Sequence, residues 1–230
     1  MNIAIIGYGK MGKTIESIAL KRNHHCQIIT RTTKLSSIEK PDVAIEFSEP
    51  EAAFQNIKNM LTMSVPVVCG TTGWLKDLEH AKKLALQNAS AFLYASNFSL
   101  GVNLFFELNK FLAVKIKQLD YQVSIEEIHH TQKLDKPSGT AISLAEQIIE
   151  NSNYTDWTLE QSKSNAISIH ALREADVKGT HSITWKNDID AISIKHEAFS
   201  REGFALGAVL AAEWIASKQG IFTMKDVLEL

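Results

Sequence analysis

Three glycines that follow an apolar run near the N-terminus constrain the fold more than any other feature. The stretch IIGYGKMGKTIE places Gly7, Gly9 and Gly12 between a predicted strand and a predicted helix. In this pattern the first glycine permits a tight turn, the second lets the backbone approach a pyrophosphate, and the third allows close packing of helix on strand. The sequence therefore predicts a Rossmann-like dinucleotide-binding domain.

Strand and helix patterns alternate through the N-terminal part of the chain. Apolar runs predict strands at 3–7, 27–30, 41–47, 65–70 and 91–95, and helical spacing predicts helices at 11–21 and 75–87. Ser48, with Glu51 three residues later, indicates a capping box at the start of a further helix. This alternation favours right-handed βαβ units, that is, a parallel sheet with helices on both faces.

The pattern changes after Asn97, where longer helices and clustered strands indicate a second, α+β domain with a mixed sheet. Helices are predicted at 99–114 and after the PSGT stretch, strands at 121–128, 166–172, 181–185 and 191–197, a polar loop at 151–165, and a buried apolar helix at 204–217. We expect a dinucleotide-binding domain over 1–97, a substrate-binding domain over 98–203, and a C-terminal helix within 204–230 that returns to the N-terminal domain.

Composition excludes several classes of partner. The formal net charge of −2 gives no basic field for nucleic acid or an anionic membrane, so an anionic ligand must bind in a local pocket. No run approaches the roughly 20 apolar residues of a membrane span, and the N-terminal stretch lacks the basic leader of a signal peptide. Cys26 and Cys69 are too few for a disulfide framework, so we expect buried thiols in a cytoplasmic protein.

The end of the second predicted strand bears on the choice of cofactor. An NAD-selective site usually has an acid there, whereas this chain has Thr30 followed by Arg31, with Lys34 close behind. Arg31 is able to grip a 2′-phosphate or stack on adenine. The sequence therefore predicts that NADPH is preferred and that NADH is possible; a solvated cationic loop is the alternative interpretation.

The stretch EEIHHTQKLDKPSGTA collects groups for proton transfer. His129 and His130 end a predicted strand, and histidine suits general acid–base work near neutral pH. Lys133 follows at a distance of one short turn and is able to donate a proton or hold a carboxylate. Because no acidic or thiolate residue stands at ligand spacing from the histidines, we expect no metal.

A helix start follows within the same stretch. Pro137 and Ser138 are start signals, and the amides of Gly139 and Thr140 fall in the first turn, where they lack intrahelical partners. With the Ser138 and Thr140 hydroxyls they offer a site for a phosphate or carboxylate. Simple capping of the helix is the alternative.

The EIHHTQKLDKPSGTA stretch closely resembles the signature of the 4-hydroxy-tetrahydrodipicolinate reductase (dihydrodipicolinate reductase) family. The resemblance extends over essentially the whole chain through GYGKMG, CGTTGW, YASNFSLGVN, HSITW and SREGFALGAVLAAEWI. It implies reduction of 4-hydroxy-tetrahydrodipicolinate, a cyclic imine dicarboxylate, with loss of water, in lysine and diaminopimelate biosynthesis. It also implies a homotetramer assembled through the sheet of the second domain.

The resemblance implies roles for individual residues. His129 resembles the catalytic acid–base group and Lys133 the proton donor, while His130, Gly139, Thr140 and Arg201 correspond to substrate contacts. Cofactor contacts are implied for the glycine loop (Gly7, Tyr8, Gly9, Lys10, Met11, Gly12), for Gly70, Thr71 and Thr72, and for Ala95, Ser96, Asn97 and Phe98.

The chain departs from the family pattern at Thr30, at Ser96, and at Lys136, where alanine is frequent. Two alternative functions are compatible with a glycine loop of this kind. One is another two-domain Rossmann amino-acid dehydrogenase, which would lack the His-His-x-x-Lys and Pro-Ser-Gly-Thr combination. The other is a non-catalytic NADP-binding sensor, against which the intact His129 and Lys133 argue.

Overall fold

A computed structural model describes residues 1–160 and 165–230. The chain forms two compact units, one of residues 1–100 with 201–230 and the other of residues 101–200. Each unit is built around its own sheet. No helix in the described part of the chain is long and apolar enough to cross a membrane.

The elements of the chain follow one another in this order. Residues 1–100 contain β1 (Asn2–Ile6), α1 (Lys10–Lys21), β2 (His25–Ile29), β3 (Val43–Glu46), α2 (Pro50–Thr62), β4 (Val67–Cys69), α3 (Leu78–Gln87) and β5 (Ala91–Tyr94). The second unit contains most of α4 (Leu100–Ile116), then β6 (Gln122–His129), α5 (Gly139–Asn151), β7 (Asp156–Thr158), β8 (Ala166–Arg173), β9 (Thr180–Lys186) and β10 (Ala191–Glu197). The chain then returns to the first unit with α6 (Glu202–Ile215), β11 (Gly220–Phe222) and α7 (Met224–Leu228).

The first unit has a parallel six-stranded sheet in the order β11-β5-β4-β3-β1-β2. Its central strands are buried on both faces; Val43, Ala44 and Ile45 of β3 are all inaccessible to solvent. Such apolar strands require helices on both sides. The predicted Rossmann-like parallel sheet is confirmed, and the carboxyl ends of β1, β3, β4 and β5 meet at the edge where such sheets bind ligands.

The helix predicted at 204–217 is α6, and it is buried as its apolar composition predicts. It packs closely against the backbone at Phe98, since a Cβ at Gly207 would lie 1.8 Å from the carbonyl oxygen of that residue. The strand β11 that follows α6 pairs with β5 and adds a sixth strand that the sequence pattern did not indicate.

The second unit has a mixed five-stranded sheet in the order β10-β9-β6-β8-β7, which confirms that part of the fold prediction. The central strand β6 runs parallel to β8 and antiparallel to β9. Their registers place His129 beside Arg173 and Glu127 beside His181. Residues from three distant parts of the sequence are thereby brought to one end of the sheet.

Two local predictions were wrong. Ser48 does not cap α2, because that helix begins at Pro50 with Glu49 as its N-cap residue, and the Ser48 hydroxyl donates to Glu46 instead. Proline at the first helical position starts the helix without a side-chain cap. The loop predicted at 151–165 contains the short strand β7, which pairs with β8; residues 161–164 of that loop lie outside the described residues.

Candidate active site

The end of β6 carries a buried acid–base pair. Glu127 and His129 are two residues apart and therefore lie on the same face of the strand. Glu127 is inaccessible to solvent and His129 is 9% exposed. Nδ1 of His129 lies in direct contact with Oε2 of Glu127. The carboxylate thus holds one ring nitrogen and leaves Nε2 to face elsewhere.

The second carboxylate oxygen of Glu127 has two further donors. Oε1 accepts from Nη1 of Arg173 at 3.0 Å and from the backbone N–H of Ser138 at 3.3 Å. Burial alone would raise the pKa of Glu127, but the hydrogen bonds and charges of His129 and Arg173 outweigh it and lower the pKa to about 2. Glu127 is therefore an ionised acceptor that joins β6, β8 and the start of α5.

His181 is a second buried histidine beside the first. Its ring packs edge-on against that of His129, with centroids 5.0 Å apart, and its Nε2 lies 3.0 Å from Oγ of Ser138. Burial, followed by the charge of His129, lowers the pKa of His181 to about 3. His181 is therefore a neutral packing and hydrogen-bonding group at neutral pH.

The start of α5 lies next to these histidines. Ser138 is the N-cap residue, and its Oγ accepts the N–H of Ala141 at 3.2 Å. Because this hydroxyl is buried and also bonded to His181, it positions the helix start. Gly139 is exposed, with open space where a side chain would be, and the N–H groups of Gly139 and Thr140 have no carbonyl within the helix to bond. They face the open side of the helix start, where an anion is favoured.

Lys133 lies on the segment between β6 and α5. Its ammonium is 2.8 Å from a carboxylate oxygen of Asp135, whose pKa it lowers by hydrogen bonding. The neighbouring predicted residue His130 is half-buried directly after β6, and Lys136 is exposed. The structure therefore brings His129, Lys133 and the Ser138–Thr140 helix start together in one unit.

Three residues at this site escaped the sequence analysis, namely Glu127, Arg173 and His181. Glu127 lies in the EEIHHTQKLDKPSGTA stretch, and only the alternation of side chains along a strand indicates that it shares a face with His129. Gly179, just before β9, was also overlooked. It has a φ of +154°, and a Cβ there would lie 3.1 Å from Nε2 of His129, so the glycine leaves room beside that nitrogen.

Glu127, His129 and His181 also form a group whose ligand atoms lie within 4.8 Å of one another. The prediction that no acidic residue stands at ligand spacing was therefore wrong, because Glu127 lies two residues before His129 on the same face of β6. In the described residues, however, Glu127 is bonded to Arg173 and His181 to Ser138, so this donor set is already engaged by the protein. The absence of a metal stays a prediction.

The glycine loop of the first unit has the geometry of a phosphate cradle. Gly7 has a φ of +91°, and a Cβ there would lie 2.2 Å from the carbonyl oxygen of Phe47. A Cβ at Gly12 would lie 2.1 Å from the carbonyl oxygen of Gly7, whereas Gly9, the N-cap of α1, has open space. The first and third glycines are thus required by packing, and the second leaves the helix N-terminus accessible.

The other residues of the loop lie around this cradle. Tyr8 is 37% exposed and its hydroxyl donates to Glu16, Lys10 is exposed as the first residue of α1, and Met11 is half-buried. Beyond β2, the exposed side chain of Arg31 forms an ion pair with Glu49. The side chain predicted to bind the 2′-phosphate is therefore paired with Glu49, a carboxylate that the sequence pattern did not connect with this site.

A buried carboxylate, Glu46 at the end of β3, organises the next part of the edge. It is inaccessible to solvent and accepts the hydroxyl of Thr71 at 2.6 Å and that of Ser48. Thr71 Oγ1 in turn accepts the N–H of Ser48 at 2.9 Å. Thr71 is consequently buried, and its hydroxyl is committed to the protein, which leaves its backbone and the exposed Thr72 to face a ligand.

The segment after β5 completes the edge of the first sheet. Ser96 is exposed, Ala95 and Asn97 are half-buried, and Phe98 is buried with its ring centroid 5.6 Å from that of Phe47. The Phe47 ring also covers Gly70, where a Cβ would lie 2.2 Å from its Cζ. Phe98 therefore has a packing role through its side chain. Arg201, an exposed residue, is the N-cap of α6 in the same unit.

The chain is similar to known proteins over almost its whole length. Residues 1–98 match the family described as dihydrodipicolinate reductase, N-terminus, and residues 101–228 match dihydrodipicolinate reductase, C-terminus. The chain is 55% identical to the 4-hydroxy-tetrahydrodipicolinate reductase of Christiangramia forsetii, over 99% of this chain and 98% of that protein. It is 35% identical to that of Methanocaldococcus jannaschii, over 98% and 81%.

A solved structure has the same fold. Dipicolinate-bound dihydrodipicolinate reductase from Paenisporosarcina sp. TG-14 superimposes with a TM-score of 0.82 over 97% of both chains, at 23% identity. The similarity confirms the predicted arrangement of a Rossmann-like domain and a second domain with a mixed sheet.

Acidification should destabilise the protein through His181. The unfolded imidazole titrates near pH 6.5, whereas the folded pKa is about 3, so protons bind preferentially to the unfolded chain between these values. The free energy of unfolding therefore falls as the pH falls through this window. From pH 7 to pH 5.5 we expect the wild type to lose about 1 kcal/mol more than His181→Asn in urea denaturation. Equal losses in the two proteins would contradict the buried neutral imidazole.

Proposed function

The chain belongs to the dihydrodipicolinate reductase family, and we propose that His129 and Lys133 carry out its proton transfers. The protein is an oxidoreductase that reduces 4-hydroxy-tetrahydrodipicolinate to tetrahydrodipicolinate with NAD(P)H and loss of water, in lysine and diaminopimelate biosynthesis. Membership of the family decides against the two alternatives, another amino-acid dehydrogenase and a non-catalytic sensor.

The proposal rests on the contact between the Glu127 carboxylate and Nδ1 of His129. A carboxylate at Nδ1 favours the tautomer that is protonated there, which leaves Nε2 as the nitrogen that exchanges a proton with substrate. The neighbouring Gly179 leaves room at Nε2. His129 is thus oriented as a general acid–base group.

We assign the substrate carboxylates to the N-terminus of α5. The N–H groups of Gly139 and Thr140 supply hydrogen-bond donors and positive potential there. Ser138 contributes by capping the helix, since its hydroxyl is bonded to Ala141 and His181. His130 and Arg201 remain proposed substrate contacts on family resemblance. Dipicolinate, the ligand named for the Paenisporosarcina enzyme, is a planar dicarboxylate that fits this donor set.

Lys133 completes the site as the proposed proton donor. Loss of water from the substrate leaves a double bond conjugated with the imine, and the cofactor, when bound, would supply a hydride to that double bond. Protonation of the resulting enamine requires an acid beside the ring, and an ammonium also stabilises the charge that develops on the ring nitrogen. The ion pair with Asp135 holds the Lys133 ammonium in place before substrate binds.

The glycine loop and the ends of β3, β4 and β5 are the proposed cofactor site. Gly9 leaves the N-terminus of α1 open to a pyrophosphate, and the segments 70–72 and 95–98 follow neighbouring strands at the same edge. We propose that NADPH is preferred, since Thr30 replaces the acid of NAD-selective sites and Arg31 is exposed beside it. Glu49 competes for Arg31 and moderates the preference.

A cytoplasmic homotetramer is also proposed. The edge strand β10 of the second sheet is exposed along its length, and Ile192 is 40% exposed on it. Ile189 and Phe199 on either side of β10 are 89% and 84% exposed. Large exposed apolar side chains next to an open strand edge favour association between copies.

Removal of the Lys133 ammonium should nearly abolish turnover. In a coupled assay, in which the upstream synthase generates the substrate, we expect Lys133→Ala to lower kcat by about 100-fold or more, the usual contribution of a general acid. Lys136→Ala is the matched control, because it removes an exposed cation from the same segment and should leave kcat within about twofold. Full turnover by Lys133→Ala would overturn the assigned role.

The cofactor preference predicts opposite effects for two neighbouring substitutions. Arg31→Ala should raise the KM for NADPH about tenfold, since one charge-assisted contact with the 2′-phosphate is lost, and should leave the KM for NADH unchanged. Glu49→Gln removes the competing carboxylate and should lower the KM for NADPH. Tighter binding of NADH that survives Arg31→Ala would contradict the proposal.

A further inference from the structure

Arg173 has a position that the proposed reaction does not yet explain. It is the last residue of β8, and it lies beside His129 in the parallel register with β6. Its side chain is only 16% exposed. A buried guanidinium requires partners for its donors, and these partners reveal its role.

The guanidinium makes four hydrogen bonds. Nη1 donates to Oε1 of Glu127 at 3.0 Å and to the carbonyl of Leu172 at 2.6 Å. Nη2 donates to the carbonyl of Asp135 at 2.6 Å, and Nε to the carbonyl of Lys133 at 3.3 Å. Three of these four acceptors belong to the carboxylate that holds His129 or to the backbone that carries Lys133.

The segment that carries Lys133 has little burial to hold it. Residues 131, 132 and 134–136 are all exposed, and the side chain of Leu134 is 96% exposed. Apolar packing therefore contributes little to the conformation of this segment. The hydrogen bonds from Arg173 to two of its carbonyls fix the backbone on either side of Leu134.

We propose that Arg173 is a positioning residue that sets the geometry between His129 and Lys133. One planar group anchors Glu127, and through it the imidazole, while it also clamps the lysine segment. The inference rests on the proton-transfer roles proposed for His129 and Lys133. Lysine is a poor substitute, because an ammonium has no rigid fork that reaches Glu127 and two carbonyls together.

Steady-state kinetics of Arg173→Gln and Arg173→Lys test this role. We expect kcat to fall about 100-fold in Arg173→Gln, a typical effect of misplacing a reacting group, and less in Arg173→Lys. The KM for NADPH should stay within about twofold of wild type, since the cofactor loop belongs to the other unit. The solvent deuterium isotope effect on kcat should rise, because proton transfer becomes slower relative to the other steps.

Arg22→Gln is the matched control for stability. Arg22 forms a two-bond ion pair with Glu213 in the first unit, with both distances 2.7 Å. Its loss should lower the urea midpoint without changing kcat or the isotope effect. If Arg173→Gln fails to fold, Arg173→Lys, which keeps the charge, decides the question by the same two readouts.

Several outcomes would overturn the inference. Arg173 variants that keep kcat within about twofold would remove the positioning role. So would variants that lose kcat with an unchanged isotope effect, since this result indicates structural damage alone. An inactive wild type, or full turnover by Lys133→Ala, would instead count against the proposed function on which the inference depends.

Discussion

The second unit depends on one buried carboxylate. Glu127 has no contact with water, and its charge is compatible with burial only because His129, Arg173 and the Ser138 amide all bond to it. The same bonds that solvate the carboxylate fix the imidazole, the lysine segment and the helix start. The stability of this part of the protein and the geometry of its chemistry therefore have a common origin, and loss of one partner would leave the buried charge only partly compensated.

The first unit uses a related arrangement. Glu46 ends β3 in the buried interior and gathers the Thr71 and Ser48 hydroxyls beside the glycine loop. In both units a strand places a buried carboxylate near the sheet edge where ligands are expected. That carboxylate accepts hydrogen bonds from neighbouring groups and so fixes their positions. Because the Thr71 and Ser48 hydroxyls are bonded to Glu46, mainly backbone groups remain for the proposed pyrophosphate.

Prediction from sequence succeeded where one short stretch determines the structure. The glycine loop, the alternation of strands and helices, and the PSGT helix start depend on local spacing, and each was confirmed. Arg173 and His181 were missed because strand pairing brings them to His129 from β8 and β9, far along the chain. Glu127 lies on β6 itself, and only the alternation of side chains along that strand indicates it. Arg31 stays a predicted phosphate ligand, and its ion pair with Glu49 was missed because that contact depends on how α2 begins. Ser48 does not cap α2, because its hydroxyl donates to a buried acceptor, Glu46.

The most direct test of the account is the tautomer of His129. Long-range proton–nitrogen NMR spectra of the imidazole-labelled protein, assigned with a His129→Gln variant, distinguish a proton on Nδ1 from one on Nε2. Because the Glu127 carboxylate faces Nδ1, the account predicts that the neutral ring carries its proton on Nδ1 and that Glu127→Gln weakens this preference. A neutral ring protonated on Nε2 in the wild type would contradict the claim that Glu127 orients His129 for proton transfer.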